Sequence, residues 1–158
     1  MHNKLKLTLR IAAIAAIYTV FTLITAVFGL SGNNLVQIRL SEALCILPVF
    51  CPEAIFGLTV GCLISNLVTL CPLWDIVFGT LATLAGAVGT YFFRNNRFLA
   101  FACPIVANTL IVPITYVIFY EIPQGYPLMA LCVFAGEFIS CGILGQAVYR
   151  SSKRINWE

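Results

Sequence analysis

Glu137 stands alone in a stretch, Pro127 to Tyr149, that carries no other charge. An ionisable side chain inside such a run costs several kcal/mol in a lipid environment unless it finds a partner, so its presence points to a function. Four further groups share this character. Asn108 lies in the run Phe98 to Tyr120, and Asn66 lies in the run Glu53 to Leu70. Asp75 follows Trp74 at the start of a third run, and Glu42 stands three positions after Arg39 in the stretch QIRLSEALCILP, residues 37–48. Carboxylates accept hydrogen bonds and neutralise cations, amides both donate and accept, and arginine donates only. Gathered in one place they would make a polar pocket for a small solute.

Each of these residues also has a plainer reading. Asp75 could serve only as a negative charge at a helix N-terminus. Glu42 could pair with Arg39 at i, i+3 to hold a loop. Asn108 could be interhelical glue. Glu53 directly follows Pro52 at a helix start, where the structural reading suffices. Glu137 has the weakest plain explanation, because no lysine or arginine falls within an apolar run to neutralise it.

The elements that must position these groups follow from composition. Of 158 residues, 61% are hydrophobic and 9% charged. Soluble domains carry roughly a quarter charged residues, so this chain cannot cover a water-facing surface. The length suits one domain, residues 1–158. Five runs reach the roughly 17–25 residues that a membrane helix needs. They are Ile11 to Gly29, Glu53 to Leu70, Trp74 to Phe93, Phe98 to Tyr120 and Pro127 to Tyr149. The first run suits a span better than a cleaved signal. A sixth run, Ser41 to Phe50, is too short to cross alone and is broken by Pro48 and Pro52.

The expected fold is therefore all-α, a polytopic membrane protein with six transmembrane helices, the second one short. Charge placement orients it. Lys4, Lys6 and Arg10 precede the first run, Arg94 and Arg97 separate the fourth and fifth, and Arg150, Lys153 and Arg154 follow the last. Six crossings put all three clusters, and both termini, on the cytoplasmic side. The outer side then holds Arg39, the Cys71-Pro72-Leu73 connection and the segment Glu121 to Tyr126. Glu137 and Asn108 fall roughly 15–18 Å below their outer helix ends, near the midplane. Glu42, Asp75 and Asn66 fall nearer the outside, so a cavity open to the exterior is expected, with Glu137 and Asn108 near its floor.

Small residues mark where helices touch. They include Gly57, Gly61 and Ser65; Gly79, Ala82, Gly86 and Gly89; and Gly142 with Gly145. Most should be internal packing, whereas Ala12 and Ala16 could face another subunit. The seven cysteines form no C-x-x-C pair and read as small buried hydrophobes, and with His2 the only histidine no metal site is expected. No G-x-x-x-x-G-K-[ST], H-E-x-x-H or G-x-S-x-G occurs, so the chain does not bind ATP by a P-loop and has no support as a metalloprotease or serine hydrolase.

QIRLSEALCILP, GLTVGCLISNL at 57–67 and WDIVFGTLATLAGA at 74–87 together resemble the QueT-type queuosine-precursor transporter family. These are substrate-binding subunits, or S-components, of energy-coupling factor transporters. The resemblance implies a six-helix bundle in the bacterial cytoplasmic membrane that takes up a 7-deazaguanine derivative such as 7-aminomethyl-7-deazaguanine, queuine or queuosine. It implies no cofactor and no catalysis. It implies partners, namely a membrane scaffold subunit and two cytoplasmic ATPases, with the A-x-x-x-A pair Ala12 and Ala16 docking on the scaffold.

A guanine-like edge offers two adjacent N–H donors that one carboxylate can accept in parallel. An aminomethyl group calls for a second carboxylate. Glu137 is expected at the edge and Asp75 or Glu42 at the amine, or the reverse. Asn108, Asn66 or Arg39 could donate to the purine oxygen, and Trp74 or Tyr126 could offer an aromatic face. QIRLSE would close over the pocket. Two other readings compete: a stand-alone ion-coupled transporter with Glu137 as its cation site, and an intramembrane thiol enzyme, which the absent C-x-x-C disfavours.

Overall fold

A computed structural model describes residues 2–29, 38–119 and 125–155. Gln37, Tyr120 and residues 121–124 of the expected outer loop lie outside the described residues. The described residues form helices and short connections, with no strand among them. α1 spans His2–Val27, a 3₁₀ helix spans Leu40–Val49, α2 spans Ala54–Val68, α3 spans Leu73–Phe92 and α4 spans Arg97–Phe119. The last rod is continuous but uneven: α5, Gly125–Glu137, passes through a π-helical segment, Phe138–Leu144, into α6, Gly145–Ser152. Four rods are long and apolar enough to cross a membrane, with α2 and the 3₁₀ helix shorter.

The glycine stripes set the packing. A Cβ on Gly57 would stand 2.8 Å from the Cβ of Ile14, and one on Gly61 2.8 Å from that of Tyr18. The ion pair Arg10–Glu53, at 2.9 Å, continues the same register. α1 and α2 are therefore parallel, and the chain must return between them. The 3₁₀ helix makes most of that return. Ser41 meets Thr22 at 2.9 Å, and Glu53 meets Arg10, a descent of roughly 18 Å along α1. Ten residues of 3₁₀ helix cover about 20 Å, where an α-helix would cover about 15 Å. A 3₁₀ run this long is uncommon. It sits in the middle of the bundle, with residues Ser41 to Pro48 all buried.

The remaining rods alternate. Thr83 of α3 reaches Cys62 of α2, and Asn66 faces Gly79, so α2 and α3 are antiparallel. α3 and α4 are antiparallel too, because Gly86 lies against Pro104 and Thr90 against Ala100. The second contact has a cause. Pro104 lacks the N–H that would bond the Ala100 carbonyl, and Thr90 Oγ1 donates to that carbonyl at 3.0 Å instead. Gly145 packs on Phe101 and the Tyr126 hydroxyl reaches the Leu110 carbonyl, so the last rod is antiparallel to α4.

One end of the bundle thus gathers Arg10 with Glu53, Phe50 with Tyr149 at 5.2 Å, and Arg97 with Gln146. The opposite end holds an aromatic stack, Trp74 on Phe119 at 4.1 Å. The basic clusters expected on one side do share one end of the bundle.

A Cβ on Gly86 would stand 2.7 Å from Pro104 Cα, which is backbone and cannot yield. Gly86→Ala should destabilise the bundle by roughly 1–3 kcal/mol, read as a lower melting temperature in detergent. Gly142→Ala is the control, because the nearest atoms its Cβ would meet are those of the Phe138 ring, at an ordinary 3.5 Å.

Candidate functional site

The register pairs place one layer of polar side chains across the bundle. Tyr18 from α1, Cys62 from α2, Thr83 from α3, Asn108 from α4 and Glu137 from α5 stand at one level, with Glu42 between them. Tyr18, Glu42, Asn108 and Glu137 are 1%, 1%, 4% and 8% exposed, so the layer is interior. It lies about midway along α1, roughly 12 Å from Arg10.

Two irregular helices meet there. The Arg39 amide donates to Ser140 Oγ at 3.1 Å, and Cys141 Sγ donates to the Glu42 carbonyl at 3.0 Å. The start of the 3₁₀ helix is thereby fastened to the π segment. A π segment widens the turn and shifts the face that its side chains present, and such segments are frequent at functional sites. Glu137, Ser140 and Cys141 all point inward from it. Pro104 and Pro113 bracket Asn108 in α4, interrupting the backbone ladder on either side of it.

The two carboxylates differ in how much of their capacity is used. Glu42 Oε1 accepts a hydrogen bond from the Tyr18 hydroxyl, and its Oε2 accepts from Cys45 Sγ at 3.0 Å. Glu137 Oε2 lies 3.6 Å from the Cys141 sulfur, whose single proton is closer to the Glu42 carbonyl, and it has the Asn108 amide beside it. A carboxylate offers about four acceptor positions, so Glu137 keeps more of them open. The Asn108 side chain lies beside Glu137, yet its Nδ2 is buried with no hydrogen-bond partner. Arg39 is half-buried, and its guanidinium acts electrostatically on Glu42, Tyr18, Tyr116 and Glu137. The cation absent from the apolar runs therefore reaches Glu137 from outside them.

The carboxylates of Glu42 and Glu137 and the Cys141 sulfur lie within 4.8 Å of one another, a spacing that could hold a cation. Two of the three are engaged within the fold. Both Glu42 oxygens accept hydrogen bonds from within the fold, and the thiol donates to the Glu42 carbonyl. The arrangement suits a ligand that brings N–H donors to Glu137 and an acceptor to Asn108.

The sequence-level candidates divide into two groups. Glu137, Asn108, Glu42 and Arg39 come together, and Asn66 lies one turn further along α2, with its Nδ2 3.5 Å from Cys62 Sγ. Trp74, Asp75 and Tyr126 do not join them. Asp75 lies on α3 about eight residues from Thr83, or roughly 12 Å toward the aromatic end. One of its carboxylate oxygens is buried without a hydrogen-bond partner. Trp74 stacks on Phe119, and the Tyr126 hydroxyl donates to the Leu110 carbonyl at 3.1 Å.

Glu42 itself sits deeper than a helix start at the outer interface would put it. Its carboxylate accepts from Tyr18, and its backbone amide donates to the Arg39 carbonyl at 3.1 Å. Tyr18, Cys45, Ser140 and Cys141 escaped the sequence reading. Their signals were faint: Tyr18, Thr22 and Thr25 share one face of α1, and Cys141 follows Glu137 by one turn.

Ala12 and Ala16 are both exposed, on the side of α1 away from Ile14, Ala15 and Tyr18. A family model described as QueT transporter matches residues 8–154. No curated protein and no solved structure matches the chain.

Proposed function

The chain belongs to the QueT transporter family, and from that premise we propose that it is the substrate-binding subunit of an energy-coupling factor importer for a 7-deazaguanine-type queuosine precursor. Family membership makes it a multi-pass membrane protein with a small-molecule substrate, and the four long apolar helices agree. The reading has six crossings, with the 3₁₀ helix as the second. The basic end of the bundle faces the cytoplasm, following the positive-inside rule.

The observation that carries the substrate reading is the pairing of an under-used buried carboxylate, Glu137, with an unpartnered buried amide, Asn108. A guanine-like ring matches both. Its two adjacent N–H groups meet Glu137, and its carbonyl oxygen meets Asn108 Nδ2. Glu42, held by Tyr18 and Cys45, is the nearby negative charge for an aminomethyl group, and Arg39 limits the repulsion between the two carboxylates. Asp75, Trp74 and Tyr126 would line the path from the aromatic end.

The chain carries no P-loop, and in this reading its energy comes from two partner ATPases through a membrane scaffold subunit. Uptake of labelled 7-aminomethyl-7-deazaguanine in cells tests this. It should require the scaffold and both ATPases, and should survive collapse of the ion gradients while ATP is kept constant. Uptake that persists without the ATPases and stops when the gradients collapse would identify an ion-coupled carrier instead.

A further inference from the structure

We propose that the groove between α4 and the π segment holds one anionic phospholipid, with its acyl chain along the groove and its phosphate on Arg97. The groove encloses about 550 Å³. Phe101 and Ile105 form one wall, and Phe138 and Ile143 form the other. It opens to the outer surface of the bundle, where Phe98 is 86% and Ile143 57% exposed. In a membrane protein that surface faces acyl chains. From Arg97 to Ile105 the groove runs roughly 12 Å along α4, parallel to the direction of a lipid chain. Gly142 keeps this wall low, because the nearest atoms a Cβ there would meet belong to the Phe138 ring, at 3.5 Å.

The two ends of the groove differ in charge. Arg97 and Gln146 stand at the basic end of the bundle, and the interior end is apolar. Arg97 donates to Gln146 Oε1, and its guanidinium lies 4.6 Å over the Tyr149 ring. The same ring has the Lys153 ammonium 5.9 Å away. Among the described residues no carboxylate forms an ion pair with Arg97. A guanidinium has five donors in a fixed plane, and Gln146 takes one of them. Stacked on Tyr149, the remainder is oriented for an oxyanion such as a phosphate.

Basic pockets between membrane helices on the cytoplasmic side bind anionic head groups. A phospholipid supplies the apolar chain and the negative charge in one molecule, in the order in which the groove presents its partners. This inference does not depend on which solute the central site takes.

The test is native mass spectrometry of the full chain with phosphatidylglycerol or phosphatidylcholine of matched acyl chains. The chain should retain one phosphatidylglycerol, about fivefold over phosphatidylcholine. Arg97→Gln should remove that preference while leaving some binding of both lipids. Gly142→Leu should reduce retention of both. If Gly142→Leu fails to melt cooperatively, Ala102→Phe fills the same groove from the α4 wall. The proposal is overturned by equal retention of the two lipids, by a preference that survives Arg97→Gln, or by undiminished retention in the groove-filled variant. Displacement of the lipid by inorganic phosphate alone would also overturn it, because the acyl chain would then contribute nothing. So would a groove that takes neither lipid and is protected only when scaffold subunits are added.

Discussion

Glu137→Gln in the full chain is expected to weaken binding of 7-aminomethyl-7-deazaguanine about 100-fold, measured by calorimetry in detergent or nanodiscs. The magnitude follows from what the substitution leaves behind. A carboxylate accepts two parallel N–H donors with charge assistance, each bond contributing about 1.5–3 kcal/mol. Glutamine keeps one acceptor and turns an N–H₂ group toward the other donor, so one ligand hydrogen faces another. The effect on the empty protein should have the opposite sign. Glu137 and Glu42 are both buried, and their ligand atoms lie within 4.8 Å of each other and of Cys141. Removing one of two buried like charges relieves repulsion and desolvation. The variant should therefore melt at the same temperature as the parent, or higher. An unchanged dissociation constant would take Glu137 out of the binding site. A collapse of the melting temperature would mark it as a structural group instead.

Much of this architecture was legible from apolar runs and their punctuation. Except at the start of α1, which begins at His2 rather than Ile11 because a helix can run on past the lipid, the six rods end within a few residues of where hydropathy, proline and charge place them. Gly57, Gly61 and Gly86 lie against neighbouring helices, as small residues in membrane helices tend to do. The depth of Glu42 was not legible. A ten-residue run containing Pro48 indicates neither a 3₁₀ rise nor burial on every side, and both depend on the space left by the other five rods. The π segment was equally invisible, since no residue type encodes it. Tyr18 reads as one more aromatic in an apolar helix until the Glu42 carboxylate is placed beside it. Arg39 lies outside every apolar run, and only the three-dimensional arrangement brings its charge to bear on Glu137.

Ala16→Trp is expected to lower uptake by at least roughly tenfold, while the isolated chain binds its ligand with an affinity within about twofold of the parent. The face of α1 that carries the change decides the outcome. Ile14, Ala15 and Tyr18 face α2 and the 3₁₀ helix and are buried. Ala12 and Ala16 lie on the other side with Leu9, which is 59% exposed, and Val20, which is 51% exposed. An indole at Ala16 therefore projects away from Glu42, Asn108 and Glu137 and need not disturb them. Small residues one turn apart allow another helix to approach backbone to backbone, and a single large side chain abolishes that approach. If the scaffold subunit docks on this face, the variant binds solute but cannot be driven by the ATPases. Leu81→Trp is the matched control, adding bulk at a position on α3 that is 49% exposed. Equal loss of uptake in both variants would mean that bulk in the lipid-facing surface is harmful anywhere, and the docking assignment would fall. Loss of ligand binding in Ala16→Trp alone would show that this face of α1 holds the bundle together rather than meeting a partner.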